Sequence, residues 1–352
     1  MAYLKLQNVN IKIDTNNSAY SRYLKTCFAN FTEQDNVSFE YDLKLEVLWE
    51  DSGWKKYLKG VKTNKNFSVL GANTFLSGSR FLTVKKIGKS RKIIFDFKNE
   101  SGQGVLRTII RKKEFKDFFR YRILKKSQEE WFFALTYPAL YYPLFWHLER
   151  VRSIGVLHAS GFSAANKGFI VCGLEGIGKT SLALSFLESK EAIFLSDNLL
   201  FYDKEKIYSC YEPVRIHKDE KESLWQKNFE KIEGLNILKG FYRPKFEIAK
   251  EGITVDFLIF PEFNRDFYVK EISPLEAVNR ALLLSYVPAE LNNYCEYRNL
   301  YNLLEPEYDS SNFQHQALLE LLRPVKCLRV GMPKADGIEK NLSRLKESIL
   351  NE

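Results

Sequence analysis

The sequence predicts an α/β protein with two domains, and two patterns carry this prediction. In the second half, the short apolar run GFIVC is followed by the glycine-rich stretch GLEGIGKTS and by the apolar-rich stretch SLALSFL, which is an order of strand, loop and helix. Nearer the start, YLKLQNVNIKI and YDLKLEVLW alternate apolar and polar residues as strands do. We therefore expect a small α+β domain over residues 1–126 and a nucleotide-binding α/β domain over residues 127–352.

The remaining elements follow from the same periodicities. In the first domain SRYLKTCFANF has helical spacing, and RFLTVKKIG, KIIFDFKN and VLRTIIRKKEF are strand-like. In the second domain the strand-like segments are SIGVLHASGF, AIFLSD, VDFLIFP and KCLRVG, with a turn at AANK and a hairpin at LLFYDKEKIYSCYEPVRI. Helices are expected at TSLALSFLESK, SPLEAVNRALLLSYV, YRNLYNLL, ALLELL and IEKNLSRLKESIL.

Composition places the chain among ordinary soluble globular proteins. Hydrophobic residues make up 45% and charged residues 28% of its 352 residues, a length that suits two domains. The five cysteines include no CxxC pair, so neither a disulfide framework nor a structural zinc site is expected. The first residues alternate and lack the apolar core of a secretory signal, which favours a cytoplasmic location.

Residues 131–148, WFFALTYPALYYPLFWHL, carry no formal charge and approach the length of a membrane span. Pro138 and Pro143 would break a single span, and tyrosine, threonine and histidine make the segment partly polar. We expect a buried, proline-interrupted helix or a connector between domains, and no membrane span.

Lysine and arginine outnumber aspartate and glutamate by 53 to 44, a formal charge of +9 that favours anionic partners. Two basic clusters lie in the predicted strands: Lys85, Lys86, Lys89, Arg91 and Lys92, then Arg111, Lys112 and Lys113. They predict either a nucleic-acid face or charged strand surfaces that discourage aggregation. No nucleic-acid motif accompanies them, so nucleic acid is the disfavoured partner.

The stretch GLEGIGKTS fits the phosphate-loop pattern G-x-x-x-x-G-K-[ST]. Glycines allow a tight turn with inward N–H groups, the lysine reaches the outer phosphates, and the hydroxyl after it can bind Mg²⁺. We expect Lys179 to lie on the surface of this loop with no role in the core. The predicted nucleotide-binding residues are Gly173, Glu175, Gly176, Ile177, Gly178, Lys179, Thr180 and Ser181.

Two further residues stand at predicted strand ends. Asp197 follows AIFLS, where a second strand would bring a carboxylate beside the loop to hold a metal or a nucleophile. His158 ends another strand-like run. A strand-end aspartate is often only a turn residue, and a lone histidine is often structural, so both interpretations stay open.

Together, LHASG, GLEGIGKTS and FLSDN resemble the catalytic core of HPr kinase/phosphorylase and related kinases. The likeness covers residues 131–216 well, residues 273–285 and 324–331 more faintly, and the first 126 residues not at all. It implies the P-loop kinase fold with a mixed sheet that this group shares with phosphoenolpyruvate carboxykinase. By position, the resemblance makes Asp197 the catalytic base and His158 its support, while Lys179 neutralises developing charge.

The chain departs from that family at two positions of the site. Asn198 stands where the family has a second aspartate, so the implied Mg²⁺ ligands are Thr180, Asp197 and Asn198. Ser181 stands where HPr kinases usually have glutamate. Arg215, Arg243 and Lys245 could neutralise a transferred phosphate or could be ordinary solvated residues.

The leading hypothesis is a kinase that uses ATP, or another phosphoryl donor, and Mg²⁺ to phosphorylate a hydroxyl such as that of serine. The C-terminal signature that HPr kinases use with their protein substrate has no clear counterpart here, so the acceptor stays open among peptides, proteins and small molecules. Homo-oligomer formation is also open. The alternatives are a non-catalytic nucleotide-binding regulator or NTPase, for which Asn198 argues, and a nucleic-acid binder.

Overall fold

The computed structural model describes residues 2–29, 40–50, 53–87, 91–100, 103–111, 128–186, 192–217, 229–232, 239–245, 249, 251–304 and 310–350. Contacts divide the chain into two compact units. Unit 1 comprises the described residues of Met1–Leu148 and Tyr294–Tyr308. Unit 2 comprises those of Glu149–Ile232, Lys239–Asn293 and Asp309–Glu352. The division thus falls after Leu148, whereas the sequence suggested a boundary after residue 126.

Unit 1 is built on an eight-stranded mixed sheet in the order β1-β2-β3-β8-β7-β6-β5-β4. Its strands are β1 (Ala2–Leu6), β2 (Val9–Thr15), β3 (Leu43–Glu50), β4 (Ser68–Gly71), β5 (Thr74–Ser77), β6 (Arg80–Ile87), β7 (Arg91–Glu100) and β8 (Gln103–Arg111). β3 pairs in parallel with β2 and β8, and the other neighbours are antiparallel. The predicted strands of this region are therefore present, together with β4 and β5, which the sequence did not indicate.

Two short helices accompany this sheet. Helix α1 (Ser18–Cys27) begins where the Asn17 side chain accepts hydrogen bonds from the Ala19 and Tyr20 N–H groups. Helix α2 (Gly53–Thr63) was not predicted. Its inward residues nevertheless have helical spacing, and with sheet residues they form one apolar core: Trp54, Tyr57, Leu58 and Val61.

The aromatic segment forms a buried, interrupted helix, as predicted. Helix α3 (Glu129–Thr136) and helix α4 (Tyr142–His147) are joined by a π-helical turn, and a second π-helical turn follows. Trp146 packs 5.4 Å from Tyr301 of helix α7 (Ala289–Asn302), centroid to centroid. These side chains belong to a protein core. No helix in the described part of the chain is long and apolar enough to cross a membrane.

Unit 2 is built on a six-stranded mixed sheet in the order β12-β10-β11-β18-β20-β19. Two three-stranded antiparallel sheets, β14-β13-β9 and β15-β17-β16, accompany it. The strands are β9 (Gly155–Leu157), β10 (Ser160–Ala164), β11 (Lys167–Val171), β12 (Ile193–Ser196), β13 (Leu200–Tyr202), β14 (Ile207–Ser209), β15 (Val214–His217), β16 (Phe229–Lys231), β17 (Lys239–Pro244), β18 (Phe257–Asn264), β19 (Tyr268–Glu271) and β20 (Lys326–Pro333). The chain is therefore α/β with mixed sheets.

Helices cover both faces of the six-stranded sheet. Helix α5 (Lys179–Phe186) and helix α9 (Gly337–Leu350) contribute Leu182, Phe186 and Leu345 to the core on one face. Helix α6 (Pro274–Ser285), helix α8 (Ser310–Leu322) and the β14-β13-β9 sheet form the core on the other face. Two apolar faces make the central strands almost continuously hydrophobic, which explains the run GFIVC.

Two predicted single strands are each divided in the structure. YLKLQNVNIKI forms the hairpin of β1 and β2, because Gln7 and Asn8 adopt φ of 50° and 58°, the values of a type I′ turn. SIGVLHASGF forms β9 and β10, which lie in different sheets and are separated by His158 and Ala159. The predicted hairpin at LLFYDKEKIYSCYEPVRI is present as β13 and β14, whereas β15 leaves it to pair with β17.

The turn between β10 and β11 generates a stability prediction. Ala165 has a φ of 50°, in the left-handed region that costs an alanine about 1–2 kcal/mol, whereas its neighbour Asn166 tolerates that region. After the greater unfolded-state entropy of glycine is subtracted, Ala165→Gly should stabilise unit 2 by about 0.5–1 kcal/mol. The measurement is the denaturation midpoint, with Asn166→Gly as the near-neutral control. A destabilised Ala165→Gly protein would contradict the turn.

Candidate functional site

The topology of the six-stranded sheet brings several strand ends to one edge. β11 and β18 are parallel, and β10 is antiparallel to both β11 and β12. β11, β12 and β18 therefore run in the same direction, so their carboxyl ends lie at the same edge, where β10 begins. In open α/β sheets ligands bind outside the carboxyl ends of the strands.

The glycine-rich loop leaves this edge after β11 and enters helix α5. Gly176 and Gly178 have φ of 80° and 92°, values that strongly favour glycine. A Cβ atom at Gly173 would lie 2.8 Å from the Ile177 side chain, so the loop closes tightly on itself. These features explain why glycine stands at the two glycine positions of the pattern, Gly173 and Gly178, and also at Gly176 between them.

Lys179 is buried at the first position of α5, which corrects the expectation of a surface lysine with no core role. Its Nζ donates hydrogen bonds to the carbonyl oxygens of Gly173, at 2.9 Å, and Leu174, at 3.2 Å. Burial lowers the pKa of this ammonium, and the Asp197 carboxylate opposes that shift. The lysine thus holds a positive charge against the loop carbonyls.

Asp197 lies directly after β12 and accepts hydrogen bonds from two hydroxyl groups. Thr180 Oγ1 donates to its Oδ2 at 3.0 Å. The Ser160 hydroxyl lies 3.0 Å from Oδ1 and 2.9 Å from the Asp197 carbonyl oxygen. The predicted proximity of Asp197 to the loop is therefore present, and Ser160 is a residue of this site that sequence reasoning did not single out.

His158, Asn198 and Glu212 form a chain of hydrogen bonds. Asn198 Nδ2 donates to Glu212 Oε2 at 2.7 Å, and Asn198 Oδ1 lies 3.1 Å from His158 Nε2. An ionised carboxylate only accepts, so the amide nitrogen must face Glu212 and the amide oxygen must face the histidine. With Glu212 ionised, this orientation calls for a proton on His158 Nε2, which would donate to the amide oxygen.

Glu212 is the second residue that sequence reasoning missed. It lies in the predicted hairpin segment, yet it is only 6% exposed and contacts Asn198. A carboxylate supplied by Glu212 therefore lies next to Asn198. The sequence contained no signal for this, because Glu212 lies fourteen positions after Asn198 and only the fold brings the two together.

Helix α6 fixes the backbone beside this chain. The His158 N–H donates to Ser285 Oγ at 3.0 Å, and the Ser285 hydroxyl donates to the Ala281 carbonyl oxygen at 2.7 Å. α6 begins after Ser273, whose Oγ accepts from the Glu276 N–H, and Pro274 stands at the first helical position. The helix thereby determines where the strand-end histidine lies.

The predicted Mg²⁺ ligands offer oxygen donors only: the Thr180 hydroxyl, the Asp197 carboxylate and the Asn198 amide. A hydroxyl that donates its proton keeps its lone pairs, so Thr180 can contact Asp197 and a cation together. Mg²⁺ binds through one or two carboxylates together with phosphates and waters, so these donors fit it. Among the described residues, no cluster of three or more His, Cys, Asp and Glu side chains suited to a metal occurs.

The other predicted residues have different surroundings. Glu175 is exposed in the loop, and Ser181 is partly buried in the first turn of α5. Arg243 forms an ion pair with Glu230 of the neighbouring strand, which satisfies its charge locally. Lys245 is exposed, and the Arg215 side chain lies outside the described part of the structure.

Part of the basic clusters of unit 1 forms one exposed surface, because Lys86 of β6 pairs directly with Lys92 of β7, and Arg111 at the end of β8 is also exposed. Lys85 pairs with Glu296, and Lys86 and Lys92 are exposed. Lys89, Lys112 and Lys113 lie outside the described residues, as does the Arg91 side chain.

No protein-family model matches the chain, and the comparison with curated proteins found no match.

The contact between Asn198 and Glu212 generates a prediction that does not depend on activity. In Asn198→Asp two carboxylates would meet in place of the amide–carboxylate pair, and this should cost about 1–3 kcal/mol of stability. Adding Glu212→Gln should restore most of the loss, because the donor and acceptor are then exchanged. Thermal unfolding of both single variants and the double variant measures the coupling. Additive effects in this cycle would contradict the contact.

Proposed function

We propose that the protein is an ATP-dependent kinase that transfers a phosphoryl group to a hydroxyl of a peptide, protein or small molecule. The observation that carries the proposal is the hydrogen bond between Thr180 of the phosphate loop and the Asp197 carboxylate. It puts a potential base beside a loop whose glycine conformations, lysine and hydroxyl suit a nucleoside triphosphate.

We also propose that unit 2 has the P-loop kinase fold found in HPr kinase and phosphoenolpyruvate carboxykinase. The support is the mixed sheet with the loop after β11, an aspartate after β12, and a histidine directly after β9, two residues before β10 begins. These are the three segments that carry the sequence resemblance.

The loop and Lys179 would bind the nucleotide. The loop has left-handed glycines and leads into the amino terminus of α5, where backbone N–H groups and the helix dipole favour anions. The buried Lys179 ammonium now contacts the carbonyls of Gly173 and Leu174, and it would exchange them for the outer phosphates. Thr180, Asp197 and Asn198 would hold Mg²⁺, which would supply neutralisation of the phosphate charge.

Asp197 would accept the proton of the acceptor hydroxyl. Thr180 and Ser160 donate to its carboxylate and hold its orientation, while further lone pairs can accept a proton from the acceptor hydroxyl. His158 supports the site through Asn198, the residue next to Asp197, because its Nε2 faces the Asn198 side chain. Asn198 contacts that ring, and Glu212, when ionised, would place a negative charge beside Asn198.

Replacing Asp197 tests the proposal. Asp197→Asn keeps the size of the side chain but removes the proton acceptor, so ATP-dependent phosphoryl transfer should fall by about a hundredfold or more. Nucleotide binding and thermal stability should change little. The measurement is transfer from γ-labelled ATP to protein, to an added hydroxyl substrate, or to water.

A control variant and the behaviour of the wild type distinguish the kinase from the nucleotide-binding regulator. Ser160→Ala, which removes only a donor to the carboxylate, is the control and should lose far less activity. A fully active Asp197→Asn protein would remove this residue from the mechanism. If the wild type binds nucleotide without any turnover, the nucleotide-binding regulator replaces the kinase.

Replacing Lys179 tests the phosphate loop separately. Lys179→Met keeps an unbranched side chain in the buried position but loses the charged hydrogen bonds to phosphate, so affinity for ATP should fall by about 10- to 100-fold. Isothermal titration with ATP and Mg²⁺ measures this, and thermal unfolding monitors the cost to the loop. Unchanged ATP affinity would exclude the phosphate-loop interpretation.

A further inference from the structure

Phe263 is an exposed aromatic residue in the sheet that carries the candidate site. It lies near the carboxyl end of β18 and is 50% exposed, and no other aromatic side chain within the described ranges is as exposed. Neither of the two apolar cores described for unit 2 contains it. Its ring is therefore accessible to a ligand.

The Phe263 ring lies beside the start of the phosphate loop. β18 is the neighbour of β11, and the Cys172 N–H donates to the Ile259 carbonyl oxygen at 2.9 Å. Gly173 is level with Pro261, whose side chain would lie 3.6 Å from a Cβ atom at Gly173. Phe263 follows Pro261 by two residues, so it shares that face of the strand and lies about 7 Å further along it. The ring thus stands next to the loop, beyond the end of β11.

The strand order puts Phe263 and Asp197 on opposite sides of the loop. Asp197 follows β12, which is separated from β11 by β10, whereas β18 adjoins β11 on its other side. The contact between Thr180 and Asp197 marks the side on which the transferred phosphate and the acceptor hydroxyl would meet. A triphosphate with its outer phosphate on that side extends its other end towards β18. Phe263 is therefore placed for the donor and not for the acceptor.

A cation lies over the Phe263 ring. Lys334, the first residue after β20, is exposed, and its Nζ is 4.5 Å from the ring centroid. Such an ammonium is attracted to the face of an aromatic ring. Asp336, two residues later, pairs instead with Lys340 and Arg344. An aromatic face and a positive charge are thus presented together at this edge of the sheet.

We propose that Phe263 and Lys334 bind the nucleoside end of the phosphoryl donor, so that the donor is a nucleoside triphosphate and not an inorganic polyphosphate. The base would stack on the Phe263 ring, and Lys334 would contact the inner phosphate. This rests on the proposed function, because it takes the outer phosphates to lie on the loop. A phenylalanine ring has no hydrogen-bonding group and stacks on the face that every base has. The ring therefore selects nucleotides as a class and no single base among them.

The direct test compares two ligands that share a triphosphate and differ in the nucleoside. Isothermal titration of the full chain with Mg²⁺ present measures the affinities for ATP and for inorganic tripolyphosphate. Phe263→Leu keeps an apolar side chain but removes the aromatic face, so affinity for ATP should fall by about tenfold. Affinity for tripolyphosphate should stay within about twofold of the wild type. Phe263→Trp, which keeps an aromatic face, should bind ATP at least as tightly as the wild type.

Val269→Ala is the matched control. Val269 is an exposed apolar residue on β19 of the same sheet, and its truncation should change the affinity for neither ligand. Thermal unfolding of each variant monitors the fold. Equal losses of affinity for ATP and tripolyphosphate in Phe263→Leu, or no loss for either, would overturn the proposal.

One further result assigns Phe263 to the acceptor and overturns the proposal as well. In that case Phe263→Leu leaves the affinity for ATP unchanged and slows phosphoryl transfer to an added hydroxyl substrate.

The proposed function fails in a different way. If the wild type binds neither ligand, or if Lys179→Met weakens neither, the loop holds no phosphate and both proposals fall. If Lys179→Met weakens both ligands and Phe263→Leu weakens neither, the phosphate loop stands and the nucleoside site does not. If ATP binds as described without any turnover, the nucleoside site stands and the kinase does not.

Discussion

The hydrogen bond from Thr180 to Asp197 is the interaction on which the rest of the candidate site depends. It joins two chain segments that leave the sheet from different strands, β11 and β12, with β10 between them. The contact requires β10 to run against both neighbours, so that a hydroxyl at the start of α5 and a carboxylate after β12 meet at one edge. The same arrangement brings Ser160 and His158 to that edge, because β10 begins there.

Each unit contains a buried carboxylate, Glu212 in unit 2 and Asp96 in unit 1, that is held by hydrogen bonds from neighbouring side chains. Glu212 is tolerated inside unit 2 because the Asn198 amide donates to it, and the direction of that amide then determines which atom faces His158. Asp96 is tolerated inside unit 1 because Arg80 binds it with both arms of the guanidinium. A buried carboxylate left without such donors would be costly, so each network holds its side chains in one orientation.

Much of the fold followed from the sequence alone. The strands and helices with clear periodicity, the buried character of residues 131–148 and the strand–loop–helix order around Lys179 were all predicted. These features depend on local spacing, because apolar residues that repeat with the period of a helix or of a strand form one face, and that face must be buried. The predicted turn at AANK is also local, and it is present. Helix α2 had the same kind of signal, in the spacing of Trp54, Leu58 and Val61, and was overlooked.

The sequence by itself determined the residue types of the phosphate loop and the strand-end positions of Asp197 and His158. Only the tertiary structure decided that Asp197 contacts Thr180, that Lys179 is buried, and that Glu212 lies beside Asn198. It also decided that LHASG leaves one sheet and enters another. The physical reason is that these contacts join residues from different strands, so they depend on strand order and direction. A periodic pattern specifies which face of a strand is buried, but it contains no information on which strand will be the neighbour.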